Sequence, residues 1–549
     1  MRVDNGRRFV GVTIGGGTVK LIKPQKAKAL SEQGREFALL DVREAGQFGE
    51  GHAFFAVNVP YSRLELDIAA LVPLRGTRIA LIDDGDGVAE QARRRLRRRG
   101  YMRVVAVAGG IPAWAAAGLG VFKGVHVPSK AFGELVEQVR DTPAIDAIEL
   151  KDMAARGEPV TILDGRSPEE YEQMTIPGAV SCPNAELGLR IDALCPDMNT
   201  TVVVSCAGRT RSIIGAQSLI DLGLVDHGVV RRVVALRNGT MGWRLAGFDL
   251  DHGATRSYPA VLGARETAAA RKRARDMAER DGIKHLGQEQ LREWMGEDNR
   301  TTYVFDVRSA REYAEAHPPR AIHAPGGQLV QATDAWVAVR GARIVLVDHL
   351  EVRAVVTAHW LTRMGLEVYV LNGEDVQIIS TVFATAMEES SPLIQLDAGL
   401  TAGAIAGGIA CVDLRSSAEF RKAHIRESIW SIRPRLHELP LGDSPLGHSP
   451  LGRKVVLVVD DKRVAELAAL DLAEQEVEVV GYLDSSPRLW PEGGLKVDSG
   501  RLPPERRIDY LFFVHDRHAG NMDAARAYLD WETGLVAAMD EQERAVFAP

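Results

Sequence analysis

A fourfold repeat constrains this chain more than any other feature. The run Leu39-Leu40-Asp41-Val42-Arg43 returns as Leu163-Asp164-Gly165-Arg166, as Phe305-Asp306-Val307-Arg308 and as Val412-Asp413-Leu414-Arg415. Each is an apolar stretch ending in Asp-x-Arg. An aromatic stands seven residues after each Asp: Phe48, Tyr171, Tyr313 and Phe420. Copies two to four add Glu170, Glu312 and Glu419 beside it. A second β-type run then follows, at 79–82, 202–205, 344–347 and 456–459, and the next residue is Asp83, Cys206, Asp348 or Asp460. The interval from the first Asp is 42 residues in three copies and 47 in the last, whose loop 442–452, rich in Gly, Pro and Ser, takes the excess. A third short strand is expected at 104–107, 233–236, 368–371 and 477–483, followed in three copies by Trp114, Trp243 or Trp490.

Strands alternating with helices predict an α/β fold, each unit a mostly parallel sheet flanked by helices. The units fall at 15–123, 145–250, 280–385 and 392–498. Residues 499–549 form a helical C-terminal extension, with an amphipathic stretch over 522–547 expected to pack on the last unit or on a partner chain. The segment Glu266–Asp281 reads as a solvated helical linker. The cluster Arg93–Arg99 reads as the wet face of a helix. Gly15-Gly16-Gly17 reads as a loop before the first strand, because no Gly-Lys-Ser follows.

A length of 549 residues exceeds what one core supports, in keeping with several units. A net charge of −7 argues against a dedicated nucleic-acid binder. No apolar run is long enough for a membrane span, and the N-terminus lacks the apolar core of a secretory signal. Four Cys (Cys182, Cys195, Cys206 and Cys411) make neither a disulfide scaffold nor a zinc pattern. The expectation is a reduced cytoplasmic protein with no metal and no cofactor.

Among the four copies, chemistry is legible in one. Three Val before Cys206 read as a buried strand. Ser212 onward reads as a helix with Ile213, Ile214 and Ala216 on its inner face. Cys206-Ala207-Gly208-Arg209-Thr210-Arg211 reads as the loop between them. Loop N–H groups and a helix N-terminus favour an anion there and depress a thiol's pKa. Arg209 and Arg211 would hold anionic groups, Gly208 would take unusual backbone angles, and Ser212 would cap or donate. Asp164 and Arg166 read as a structural ion pair and helix cap. Cys411 reads as a core residue. Cys182 and Cys195 read as structural, with a resolving thiol as the alternative. Asp83-Asp84 and Asp460-Asp461 read as solvated loop residues, not a metal site, and the three Trp as core anchors.

These features together resemble the rhodanese, or thiosulfate sulfurtransferase, family. The resemblance rests on Asp-x-Arg with its aromatic, on Ile176-Pro177-Gly178-Ala179, and on Cys206-Ala-Gly-Arg-Thr-Arg211-Ser212, which is similar to the family's Cys-x-x-Gly-x-Arg-Ser loop. It rests also on the endings Gly109-Gly110-Ile-Pro-Ala-Trp114 and Asn238-Gly239-Thr-Met-Gly-Trp243. It implies four tandem rhodanese-like domains, catalytic only in the second. Asp83, Asp348 and Asp460 would leave the others inactive. Unit two departs by showing Met174-Thr175 where the family has Gly-His, whereas His52, His317 and His424 remain elsewhere. The implied activity moves a sulfane sulfur from thiosulfate or a related donor, through a Cys206 persulfide, to cyanide or a thiol. The alternatives are a sulfur-relay or interaction scaffold and a cysteine-type phosphatase or arsenate reductase. The phosphatase pattern Cys-x-x-x-x-x-Arg is not met, since Arg211 is the fifth residue after Cys206 and Ser212 the sixth. The implied partners are a small sulfur donor and acceptor, with a protein or thiol acceptor and a homodimer both left open, and neither nucleic acid nor membrane.

Overall fold

The computed structural model describes residues 10–14, 17–376, 393–440, 443–444, 447–448, 453–500, 502–503, 506–510 and 520–549. The N-terminal charges, Gly15 and Gly16, the end of the third unit and the start of the fourth over 377–392, and most of the loop 442–452 lie outside them.

Each repeat builds one sheet. In the second, the order is Ala144–Ile145, Arg232–Leu236, Thr201–Ser205, Val160–Asp164 and Val180–Ser181, all parallel. The third has the same order with Lys284–Leu286, Glu367–Leu371, Arg343–Val347, Thr302–Asp306 and Ile322–His323. The first adds an antiparallel strand, Val10–Ile14, paired with Gly17–Ile22, so this unit begins before residue 15. The fourth has four strands. The strand that leads into the Cys206 position is central in every sheet and almost wholly buried, which is why its sequence is a β-branched apolar run rather than an alternating one.

Register corrects one expectation. Asp164 faces Ser205, Asp41 faces Ile82 and Asp306 faces Val347, so Cys206, Asp83 and Asp348 are equivalent. In the fourth sheet Asp413 faces Val458, so Val459 is in register with Cys206 and Asp460 lies one residue beyond. Aligning by residue type had assigned the acidic residue to the wrong rung.

Asp-x-Arg is a buried clamp repeated four times. Asp164 accepts from the Arg166 backbone N–H at 3.1 Å and from Nε at 2.9 Å, and Arg166 also donates to the Met174 carbonyl. Arg43, Arg308 and Arg415 donate in the same way to their own Asp and to Gly51, Ala316 and Ala423 carbonyls. The clamp ties the strand end to the following turn. In units one, three and four the trailing aromatic stacks on the His four residues later, at 3.7, 3.9 and 4.0 Å between centroids. In unit two Thr175 replaces that His and donates to Asp164 at 2.9 Å. The three Trp are buried, as are Cys182, Cys195 and Cys411, whose thiols burial pushes up.

Units one, two and three share one continuous apolar core that also takes in the helices Val127–Arg140 and Ala264–Asp281 and the C-terminal Phe547. Helix Ala264–Asp281 therefore is not a solvated linker, because Ala270, Ala274, Met277 and Ala278 seal against that core. Unit four has its own core and meets unit one through buried charges. Arg433 binds Glu65 at 2.8 Å and Asp471 at 2.7 Å; Arg95 binds Asp471 and Tyr61 donates to it at 2.9 Å. Arg95 thus leaves the wet face that its neighbours Arg94, Arg97 and Arg98 keep. The C-terminal helix Met522–Ala538 packs on Val127–Arg140 and on unit two rather than on the last unit. Among the described residues no helix is long and apolar enough to cross a membrane.

Candidate active site

Cys206 ends the central strand of unit two, and the helix Thr210–Asp221 begins four residues on. The loop is therefore shorter than the sequence suggested, and Thr210, Arg211 and Ser212 form the first helical turn. The N–H groups of a first turn have no carbonyl four residues back to bind, so they point at whatever the loop encloses. Ser212 donates its hydroxyl to Cys206 Sγ at 3.0 Å, and its backbone N–H also faces the sulfur.

The closing turn of the unit presses on this loop. Gly239 has φ +50° and a Cβ built there would lie 2.1 Å from the Cys206 carbonyl oxygen, which instead accepts from Thr240 N at 2.8 Å. Gly110 in unit one meets the Asp83 carbonyl in the same way, with φ +58° and 2.2 Å. This close approach is the physical reason for Gly in that motif. Gly208 is needed for space rather than for angle. Its φ is not positive, and a Cβ would meet Met241 at 2.8 Å and Glu532 Oε2 at 3.2 Å.

The two arginines are not free cations. Arg211 makes a two-pronged pair with Glu170, at 2.6 and 2.7 Å. Burial pushes the Glu170 carboxyl up, but Arg211 outweighs it and draws it down to about 2. Arg209 turns away to Glu134, at 2.7 and 2.8 Å, to Glu137 and to Asn238. Both Glu134 and Glu137 stand on helix Val127–Arg140. Burial raises Glu134 to about 6 despite the guanidinium. The thiol of Cys206, 2 % exposed, is likewise pushed up by burial; Arg211 and Ser212 pull it down, and Glu532 pushes it up again. The net result is a thiol above its ordinary value, opposite to the expected depression. Arg209 faces two carboxylates instead of the sulfur. The expected buttress Asp164–Arg166 is present beneath the loop, and Asn184 adds to it by donating to the Arg211 carbonyl at 2.9 Å.

An open cavity lies over the sulfur. Its floor is Cys206–Arg211 with Glu170 and Met241, and its walls come from elsewhere in the chain. His126 and Lys130 belong to the helix after unit one, Gln328 and Gln331 to unit three, and Tyr528 and Glu532 to the C-terminal helix. Thr210 donates to Glu532 at 2.8 Å, which ties that last helix to the loop. Glu170 was visible in the repeat but not as the partner of Arg211. Glu134, Tyr528 and Glu532 carried no sequence signal at all, since only tertiary packing brings them to Cys206.

The equivalent loops of units one and three contain their own anion. Asp83, buried, accepts from the N–H groups of Gly85, Gly87 and Ala89 at 2.9, 3.2 and 3.0 Å. Asp348, fully buried, accepts from Arg353 N at 2.8 Å and pairs with the Arg353 guanidinium at 2.8 Å. Arg353 is the counterpart of Arg211, five residues after the key position. Asp83 is therefore not a solvated loop residue. Asp84 pairs with Arg43, and Asp461 caps the next helix.

Fold and site together define a protein of tandem parallel α/β units in which one strand-to-helix loop presents a cysteine, while those of units one and three present carboxylates. The model of the rhodanese-like domain matches residues 23–117, 146–246 and 287–374. A thiosulfate sulfurtransferase from Pseudomonas aeruginosa is 39% identical, with 96% of this chain and 98% of that chain covered at a TM-score of 0.85. An HTH-type transcriptional regulator of Mycobacterium tuberculosis is 38% identical over 111 residues, which span 20% of this chain and 46% of that relative. The chain belongs to the rhodanese family, and its likenesses support a sulfurtransferase.

Proposed function

We propose that this protein is a sulfurtransferase that carries a sulfane sulfur on Cys206. The observation that supports this reading is the contrast among equivalent loops: a neutral thiol stands in unit two where Asp83 and Asp348 supply a negative group to the same N–H cradle. A persulfide is an anion of about that reach, and the cradle suits it.

In the first half-reaction the Cys206 thiolate attacks the outer sulfur of thiosulfate or a related donor. The S–S bond of the donor breaks, sulfite leaves with the bonding pair, and Cys206 retains the outer sulfur as a persulfide. Ser212 steadies the inner sulfur, and N–H groups of the first helical turn face the outer one. In the second, cyanide or a thiolate attacks the outer sulfur and Cys206 leaves as the thiolate. Arg211, held in place by Glu170, favours the anionic forms of Cys206. Cys182 and Cys195, buried in the core, act as structural residues in this reading. The five-residue reach from Cys206 to Arg211 and the short loop before the helix disfavour a phosphatase.

The test is thiocyanate formation from thiosulfate and cyanide. Cys206→Ser is expected to abolish it, and a mutant that kept wild-type activity would refute the reading.

A further inference from the structure

The Cys206 cavity has more acceptors than its expected anionic cargo calls for. Glu532 is 1 % exposed. One of its carboxylate oxygens accepts from Thr210, while Oε2 is buried with no hydrogen-bond partner. That oxygen is 3.2 Å from where a Cβ on Gly208 would stand, so it faces the active loop itself. Gln331 Oε1, on the wall supplied by unit three, is buried without a partner too. The cations of the cavity already have acceptors. Arg211 faces Glu170 and Arg209 faces Glu134 and Glu137. His126 bonds Asp334 at 2.7 Å. Lys130 donates to the Val125 carbonyl at 2.7 Å and lies 4.8 Å over the Trp531 ring. A buried carboxylate oxygen with no donor is costly, and a site that keeps one is matched to a ligand that brings the donor.

Resting on the persulfide reading above, we infer that Glu532 is a specificity residue that binds the protonated amine of the sulfur acceptor, making a small aminothiol the favoured acceptor class. The ammonium pairs with Glu532 Oε2 while the acceptor's sulfur meets the persulfide. The acceptor thiolate attacks the outer sulfur, a new S–S bond forms on the acceptor, the old S–S bond breaks, and Cys206 departs as the thiolate. The acceptor leaves as its own persulfide, so sulfur count and charge balance without an added oxidant or reductant. Neutralising Glu532 with the ammonium also removes a negative field that opposes the departing Cys206 thiolate. The C-terminal helix thereby completes the site, in place of a mere cover.

The test compares discharge of the Cys206 persulfide by cysteamine and by propanethiol, which replaces the ammonium with a methyl group. The quantity read is the ratio of their second-order rate constants in wild type and in Glu532→Gln, so intrinsic thiol reactivity cancels. The ratio is expected to fall about tenfold in the variant, as for one charge-assisted hydrogen bond. A fall below about threefold overturns the inference, including the case where both thiols slow equally because Glu532 is a general base. Should Glu532→Gln fail to fold, wild type alone decides. S-methylcysteamine is expected to inhibit discharge about tenfold more tightly than methyl propyl sulfide, and equal inhibition overturns the inference. If thiosulfate leaves no persulfide on Cys206, the functional reading fails first. If the persulfide forms and discharges with an unmoved ratio, only the role of Glu532 fails.

Discussion

The loops at Cys206 and Asp348 are the same piece of backbone with opposite uses. Both end a buried central strand, both lead into a helix of twelve residues, and both keep an arginine five residues on. In unit three the carboxylate of Asp348 fills the cradle and locks Arg353, which also binds Glu312 at 2.6 Å and Glu186 at 2.9 Å. In unit two the thiol is neutral, and Arg211 is held to one side by Glu170. On the proposed function, the difference is that between a catalytic anion site and a structural joint whose anion is supplied covalently. One loop should lose chemistry when changed, and the other should lose stability.

The largest effect that tests this is on unit three. Asp348→Asn removes a fully buried charge from a network centred on Arg353, and the cost is expected to be about 3 kcal/mol, moderated by the two carboxylates that remain. Urea unfolding measures it, and a cost under about 1 kcal/mol would break the comparison. The pH dependence sharpens it. Burial pushes Asp348 up but Arg353 draws it below its usual value. A depressed folded pKa means that the stabilising share is present above the unfolded value near 3.8 and is lost as pH falls. Wild type should therefore lose more stability than Asp348→Asn between about pH 5 and pH 3.

Next in size is Arg211→Lys, which cannot reproduce the two-pronged pair with Glu170. Sulfur transfer should fall about a hundredfold in kcat/KM, with folding intact. Smaller still is a shift in reactivity. Because burial and Glu532 raise the Cys206 thiol, alkylation by iodoacetamide should keep rising with pH beyond the ordinary thiol value of roughly 8.5. Glu532→Gln should move that midpoint down, and a plateau below pH 7 in wild type would contradict the electrostatics described. The smallest expected effect is the stability of Cys206→Ser, within about 1 kcal/mol of wild type.

The repeat made the fold legible because its signals are local. An Asp two residues before an Arg clamps its own strand end, a β-branched run is a buried strand, and a Gly pressed on a carbonyl stays Gly. Cys206, Gly208, Arg211 and Ser212 could be placed in one loop for the same reason. What distant segments do to that loop was not legible. Glu134 and Glu137 take Arg209 away from the sulfur, and Glu532 arrives from the far end of the chain. Burial under these segments, with Glu532 adding to it, reverses the expected direction of the thiol's shift. The fourth unit misled for another reason: Asp460 and Asp461 follow closely on the strand end, and only the pairing of Asp413 with Val458 shows that Asp460 is one step out of register. The amphipathic pattern of 522–547 announced a buried face but not its address.

Cys206 is the proposed sulfur carrier, one among four related loops. Mass spectrometry of peptides from thiosulfate-treated protein tests that most directly. The expected result is one added sulfur atom on Cys206, absent in Cys206→Ser, with Cys182, Cys195 and Cys411 unchanged. Sulfur found on one of those three buried thiols, or no sulfur on Cys206, would contradict it.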